Sequence, residues 1–379
     1  MKRMAVAFDV CIRGSGIVGH ALALLLAQER LRVGLVAAKP AGPTGLDVRA
    51  YALNARSKDL LESIKCWPPE PMVTAVDRMD VFGDQDGRIQ FSAARLAVDA
   101  LTWIVDVNAL EQSLSQAVRY QPNLSLLAEP AEASLTVICE GRSSALRDSL
   151  GVQYQTWPYP QRAIAARLKG EQAHGQVARQ WFQQNEILAL LPLGGAQGHD
   201  VALVWSLPEA RAMEMLQADD QAFAQAVASA SAHTLGAMTL TSSRQGWPLQ
   251  SALAQRWFGR WAQTDAHHSR AWVLAGDAAH CIHPLAGQGL NLGLADAQEL
   301  CVVLRSRPSW RSVADARLLK RYERSRRSQA MATDLTLNSL QKLFSQEQPG
   351  WQHLRNLGMQ GFERLDGLKS WLARQAMGV

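Results

Sequence analysis

Two glycine-rich turns, far apart in the chain and each opening a helix, constrain this sequence more than any other feature. The first follows a short β-rich run from Phe8 to Ile12 and reads Gly14-Ser15-Gly16-Ile17-Val18-Gly19, a G-x-G-x-x-G pattern. Ile17 to Gln28 is dense in helix formers, and Arg32 to Ala37 reads as a second strand, which completes a βαβ unit. In that context the glycines have separate tasks: a tight turn, close backbone approach to a pyrophosphate, and close helix–strand packing. The second turn follows an apolar strand, Trp272 to Ala275, that ends in Gly276-Asp277. Gly287-Gln288-Gly289 comes next, and a helix opens near Leu290 and Asn291. An acid at a strand end can accept from a sugar hydroxyl, and glycines ahead of a helix let bare N–H groups approach an anion. Together the two turns predict a dinucleotide-like ligand.

The two motifs resemble those of the flavin-dependent aromatic hydroxylases of the p-hydroxybenzoate hydroxylase type, and the subgroup resembled is the ubiquinone-biosynthesis ring hydroxylases. The most specific run is His283-Pro284-x-x-Gly287-Gln288-Gly289-x-Asn291-x-Gly293. Further pieces are Arg49-Ala-Tyr-Ala-Leu, Leu188-Ala-Leu-Leu-Pro-Leu, Val204-Trp205-Ser206, Arg321-Tyr322-Glu323 and Leu343-Phe344-Ser345. Arg355-Asn356-x-Gly358 and Ala376-Met377-Gly378 carry the likeness to the end of the chain. The resemblance implies bound FAD, with NAD(P)H as a transient reductant and O2 as co-substrate. It places the cofactor against Gly14, Ser15, Gly16, Ile17, Gly19, Arg49, Gly276, Asp277, Pro284, Gly287, Gln288, Gly289, Leu290 and Asn291. The substrate implied is an aromatic ring, a polyprenyl phenol or quinol, hydroxylated through a flavin C4a-hydroperoxide. Since the cofactor supplies that chemistry, no catalytic side chain is called for.

Three positions depart from the family pattern. An acid normally ends the second strand and holds the adenosine ribose, but Ala37-Ala38 stands there. The family's Asp-Gly pair appears as Glu140-Gly141, and Asn108 stands where an Arg is usual. These changes predict weak FAD affinity. They also keep open a non-catalytic scaffold of a biosynthetic complex, beside a hydroxylase of a small soluble aromatic.

The fold class expected is α/β: a Rossmann-like FAD-binding domain with an inserted antiparallel-sheet substrate domain and a helical C-terminus. Residues 1–71, 98–150 and 262–312 are assigned to the FAD-binding domain, 72–97 and 151–261 to the substrate domain, and 313–379 to the helical region. Strands are predicted over Ala163 to Leu168, Ala178 to Phe182, Ile187 to Pro192, Val201 to Ser206 and Met238 to Ser243, with paired strands between Met72 and Phe91 around Asp86-Gly87. Helices are predicted over Ser57 to Ile64, Val107 to Val118, Gln221 to Ala232, Leu292 to Leu304 and Ala314 to Phe344, with a broken pair from Leu354 to Ala376.

Hydrophobic content of 47% and charge of 19% suit an ordinary globular protein. A net charge of +5 is not organised into a nucleic-acid module, so no nucleic acid is expected. The five cysteines lack C-x-x-C spacing and read as reduced thiols. His280, Cys281 and His283 lack a further ligand cluster, so no metal is expected. No G-x-S-x-G elbow occurs, which argues against a nucleophilic serine. The expected compartment is the cytoplasm, with peripheral contact on the inner face of the membrane, or membership of a ubiquinone-biosynthesis complex, left open. Two features motivate the membrane: the basic run Arg317, Lys320, Arg321, Arg324, Arg326, Arg327, and the apolar stripe from Leu354 to Leu372 bordered by cations.

Overall fold

A strand buried on both faces needs helices on both sides or a sheet edge closed by other elements. Phe8–Arg13 is such a strand, with Val10 and Ile12 inaccessible on one face and Cys11 buried on the other. It lies at the centre of a six-stranded sheet, in a computed structural model that describes residues 8–37, 47–83, 87–183, 185–261, 270–282 and 287–344. Val33–Val36 and Ala133–Ile138 pair with it in parallel on either side. Leu124–Leu127 and Ala271–Leu274 extend the sheet in parallel, and Phe258–Arg260 adds an antiparallel edge. Parallel neighbours require a crossover, and Ile17–Gln28 supplies the first. This helix buries Ile17, Leu22, Leu24 and Leu26, and packs against Val107–Arg119 and Gln288–Arg305.

A second sheet of nine strands is mainly antiparallel and is built around Tyr154–Gly170. That strand pairs with Asp200–Pro208 on one side and Gln245–Ala254 on the other. Leu168, Leu190, Leu203 and Trp205 form its core with Phe223 from the helix Asp220–Ala230. The expected strand Ala163 to Leu168 is only the inner part of this element, because Pro158 and Pro160 hide the outer part from a propensity reading. A register shift between Pro158 and Arg162 absorbs those prolines. The strand Gln245–Ala254, which contains Gly246 and Pro248, escaped the sequence reading for the same reason; the short helix Glu209–Gln217, rich in helix formers, was also missed.

The expected pairing between Met72 and Phe91 is half right. Arg78–Phe82 and Arg88–Ser92 do form an antiparallel pair. Val73–Val76 instead joins Thr102–Asp106 and Ala50–Leu53 in a separate three-stranded sheet. Helices span Ala55–Ser63, Val107–Arg119, Gln288–Arg305 and Ala316–Phe344, close to their expected bounds. The expected pair from Leu354 to Ala376 lies outside the described residues. Among those residues no helix is long and apolar enough to cross a membrane.

Candidate active site

Gly14 has a φ of +112°, and a Cβ there would sit 2.2 Å from the Cys139 carbonyl oxygen. A Cβ on Gly19 would sit 1.9 Å from the Gly14 carbonyl oxygen. These two glycines therefore let two strand ends and a helix start meet at backbone contact. Gly16 differs, since a Cβ there would meet nothing within 4 Å. It precedes the helix Ile17–Gln28 without a side-chain cap, so the capping residue takes none of the first-turn N–H groups. Ser15 lies half-buried at the same entry, while Ile17 turns into the core.

The second turn begins at Gly276, whose φ of +62° favours glycine. Asp277 follows, exposed to solvent on one side yet enclosed by protein on the others. That enclosure raises its carboxyl pKa, against the opposing pull of His280, Arg142 and Arg49. The backbone of the turn is gripped from outside. Tyr154 Oη donates to the Asp277 carbonyl at 2.8 Å, and the buried Arg147 donates to the Ala278 carbonyl at 3.3 Å. Arg147 also lies over the Tyr154 ring, 3.7 Å from its centroid.

Gly287 has a φ of +63° and opens the helix Gln288–Arg305, again with no side-chain cap. A Cβ on Gly289 would meet nothing within 4 Å. Leu290 packs against the core, and Asn291 is buried and fully engaged. Its Oδ1 accepts from Asn54 N–H at 3.0 Å and Ser57 Oγ at 2.7 Å, and its Nδ2 donates to the Ala52 carbonyl at 2.9 Å. Asn291 thus ties this helix to the Ala50–Leu53 strand. Pro284 lies outside the described residues.

The two helix starts meet through Val18. A Cβ on Gly293 would come within 2.7 Å of Val18 Cγ2, and one on Gly276 within 3.4 Å. Val18 therefore packs in a niche made by glycines of the second motif.

Arg49 makes a two-pronged ion pair with Asp47, which raises its pKa further above an already high value. The Asp47–Arg49 segment is held by Asn108, whose Nδ2 donates to the Asp47 carbonyl at 2.8 Å. Arg167 of the nine-stranded sheet donates to the carbonyls of Val48 and Arg49 and pairs with Asp106 at 2.6 Å. Asn108 thus shapes the segment that carries Arg49. Glu140 has its own partners: Arg13 at 2.9 Å and the Ser144 hydroxyl at 2.7 Å. The strand Val33–Val36 ends at exposed Ala37, with no acid at that place.

The histidine beside the second turn is a structural one. His280 donates from Nε2 to the Asp296 carboxylate at 2.7 Å and stacks on Trp257 with centroids 5.3 Å apart. The basic run on Ala316–Phe344 divides. Arg326 is buried against Asp296 at 2.7 Å, whereas Arg317, Lys320, Arg321 and Arg324 are exposed. Sequence reasoning missed Asp296, Arg326, Asp47, Arg147 and Arg167. The spacing of Asp296 within Gly293-Leu-Ala-Asp296, one turn after a glycine, was the available signal for the first. A cavity of about 510 Å³ opens away from the motifs, on the sheet face that carries Cys11, Arg13 and Thr136, bordered by Trp261 and Arg270. Geometry at the motifs, not cavity size, locates the site.

These features fit a dinucleotide with a flavin. Two uncapped helix starts can receive phosphate and ring oxygens, Cβ-free positions at Gly16 and Gly289 leave room, and Asp277 offers an acceptor at a strand end. Residues 128–335 match the family described as "FAD binding domain". The chain is 29% identical to the 3-demethoxyubiquinol 3-hydroxylase of Escherichia coli (strain K12), over 98% of each chain. It is 27% identical to the ubiquinone hydroxylase UbiL of Rhodospirillum rubrum, over 98% of this chain and 90% of that one. Its fold is similar to the crystal structure of pqsL from Pseudomonas aeruginosa, with a TM-score of 0.72 at 20% identity, over 93% of this chain and 99% of that one.

Proposed function

This chain belongs to the FAD binding domain family, and from that premise we propose that it is an FAD-dependent monooxygenase that hydroxylates the ring of a ubiquinone precursor. The observation that carries the reading is the Val18 junction. It brings the G-x-G-x-x-G helix start and the Gly276-Asp277 turn to one place, so a single dinucleotide can use both. The two relatives, each named as a hydroxylase of ubiquinone chemistry and matched over nearly the whole chain, support the substrate class.

Bound FAD supplies the electrons, delivered by NAD(P)H, that activate O2 for transfer of one oxygen atom to the ring. The protein's contribution is binding and electrostatics. The uncapped N–H groups after Gly16 would hold the pyrophosphate, and Asp277 would accept from the ribityl chain. The N–H groups at the start of Gln288–Arg305 would hold the flavin ring's oxygen edge and favour negative charge there. Ser15, Ile17, Gly19, Arg49, Gly276, Gly287, Leu290 and Asn291 shape or brace this cradle. The nine-stranded sheet covers the substrate, and Arg167 links it to the Arg49 segment. A polyprenyl tail on the substrate suits a peripheral contact with the membrane. The exposed cations of Ala316–Phe344 and the outward Met331 and Leu335, at 51% and 70% exposure, support that contact.

Reconstituted protein given a polyprenyl phenol, NAD(P)H and ¹⁸O-labelled O2 tests the proposal. The expected product carries one labelled oxygen on the ring. Protein that retains FAD and yields no labelled product contradicts it, and protein that binds no FAD points instead to the scaffold.

A further inference from the structure

Behind the Gly276-Asp277 turn lies a cluster of charge that no step of the reaction uses. Asp296 is wholly buried on the inner face of Gln288–Arg305, with His280 and Arg326 almost as buried beside it. Its Oδ2 accepts from the Gly276 N–H at 2.9 Å and lies 2.7 Å from His280 Nε2. Its Oδ1 accepts from Arg326 Nε at 2.7 Å. Arg326 comes from another element, Ala316–Phe344, and its remaining nitrogens reach the Leu292 carbonyl at 3.2 Å and the Gln329 side chain. One carboxylate therefore joins four segments: the cofactor-facing turn, the strand residue His280, the second motif's helix and the C-terminal helix.

Burying so many charges is costly for stability, and an apolar cluster of similar volume often does as well. What the charged version provides is direction. A carboxylate with both oxygens engaged can hold the Gly276 N–H at one place, and Gly276 is in a left-handed conformation that sets where Asp277 points. Burial alone would raise the Asp296 pKa, but His280 and Arg326 hold it below the usual carboxylate value, so it remains an anion. Tyr322, two turns before Ala330 on the same C-terminal helix, adds a bond from its hydroxyl to the Leu274 carbonyl at 3.0 Å, in the strand that leads into the turn.

We propose that Asp296, oriented by Arg326 and His280, is a positioning residue that aims Asp277 at FAD, so that the C-terminal helix sets cofactor affinity from behind the site. The proposal rests on the assignment of the turn to FAD. Its readout is the bound flavin, not turnover.

Asp296→Asn keeps the size of the side chain but cannot hold the Gly276 N–H, His280 and Arg326 together. Arg326→Lys keeps the positive charge and loses the fork. Equilibrium titration of the apoprotein with FAD, at a temperature where circular dichroism shows each variant folded, is compared with visible-region circular dichroism of the bound flavin. We expect the dissociation constant to rise about tenfold or more for Asp296→Asn, in line with loss of charge-assisted bonds, and by less for Arg326→Lys. The flavin band should change shape in both, which a loss of stability alone would not cause. Where Asp296→Asn does not fold, Arg326→Lys is read alone. A folded variant with FAD affinity within twofold of wild type and an unchanged band overturns the proposal. Wild-type protein that binds no FAD overturns the functional reading beneath it instead.

Discussion

The two helix starts assigned to the cofactor are held in place by different physics. At Ile17–Gln28 the fit is mainly steric: Gly14 and Gly19 bring backbone onto backbone, with His20 Nδ1 3.1 Å from the Gly16 carbonyl oxygen. At Gln288–Arg305 the fit is polar: Asn291 ties the helix to the Ala50–Leu53 strand, and Asp296 ties it to Gly276 and to Arg326. A backbone contact such as that at Gly14 or Gly19 tolerates no added atom, but it does not respond to charge. A polar site tolerates small changes of shape and responds to protonation. The difference teaches where each kind of substitution will act.

The largest effect is expected at Gly19. A Cβ 1.9 Å from a backbone oxygen has no flexible neighbour to displace, and overpacking of this kind costs about 1–3 kcal/mol or more. Gly19→Ala should lower the thermal midpoint of the apoprotein by several degrees and abolish FAD retention, as differential scanning fluorimetry and flavin release would show. An unshifted midpoint would break the steric half of the comparison.

Gly16→Ala sharpens it. The new Cβ meets no protein atom within 4 Å, so the apoprotein should melt like wild type, while the methyl occupies space assigned to pyrophosphate. We expect FAD to bind roughly tenfold to a hundredfold more weakly, a cost on the order of one or two charge-assisted hydrogen bonds.

Asp277→Asn probes the polar half. Enclosure raises the folded-state pKa of Asp277 above its unfolded value. The charged form is therefore disfavoured in the fold, a penalty absent below the unfolded value and complete once pH exceeds the raised one. At neutral pH the variant should raise the melting temperature of the apoprotein and weaken FAD binding, the trade-off expected where a site is built for function. Asp296 has the opposite sign. Its folded pKa is depressed, so its stabilisation is present above the unfolded value and is lost as pH falls through the folded one. The midpoint advantage of wild type over Asp296→Asn should shrink under strong acid.

Ala37→Glu places an acid where the second strand ends, the place from which this fold class usually holds an adenosine ribose. Each new charge-assisted bond is worth about 1.5–3 kcal/mol at most, so FAD should bind several-fold or more tightly. An unchanged dissociation constant would show that the strand end does not meet the ribose. The smallest effect concerns the surface. Replacing exposed Arg321 and Arg324 with Gln should weaken co-sedimentation with anionic vesicles by roughly thirtyfold, at about 1 kcal/mol per cation near such a surface. Equal binding by the variant would remove that helix face from the membrane contact.

Much of this was legible in the sequence because glycine spacing and strand–helix alternation are local signals. The helix Ile17–Gln28 was read to its ends, and the parallel sheet followed from the βαβ pattern. What was not legible depends on side chains that meet across long stretches of chain. Asn108 reads as a lost arginine in the sequence, but in the fold it holds the Asp47 backbone. Arg326 reads as one cation in a solvated run, but it is the buried partner of Asp296. Prolines concealed the outer half of Tyr154–Gly170 and the strand Gln245–Ala254, since a propensity reading has no way to see their partners.

The central claim is that one FAD spans the Gly16 helix start and the Gly276-Asp277 turn, and a double-mutant cycle in FAD affinity tests it most directly. Apoprotein of wild type, Gly16→Ala, Asp277→Asn and the double variant would be titrated with FAD by fluorescence quenching. The account predicts one FAD per chain, weakened by either substitution alone, with NAD unable to displace it. Binding that responds to only one of the two positions, or NAD that competes on equal terms, would contradict it.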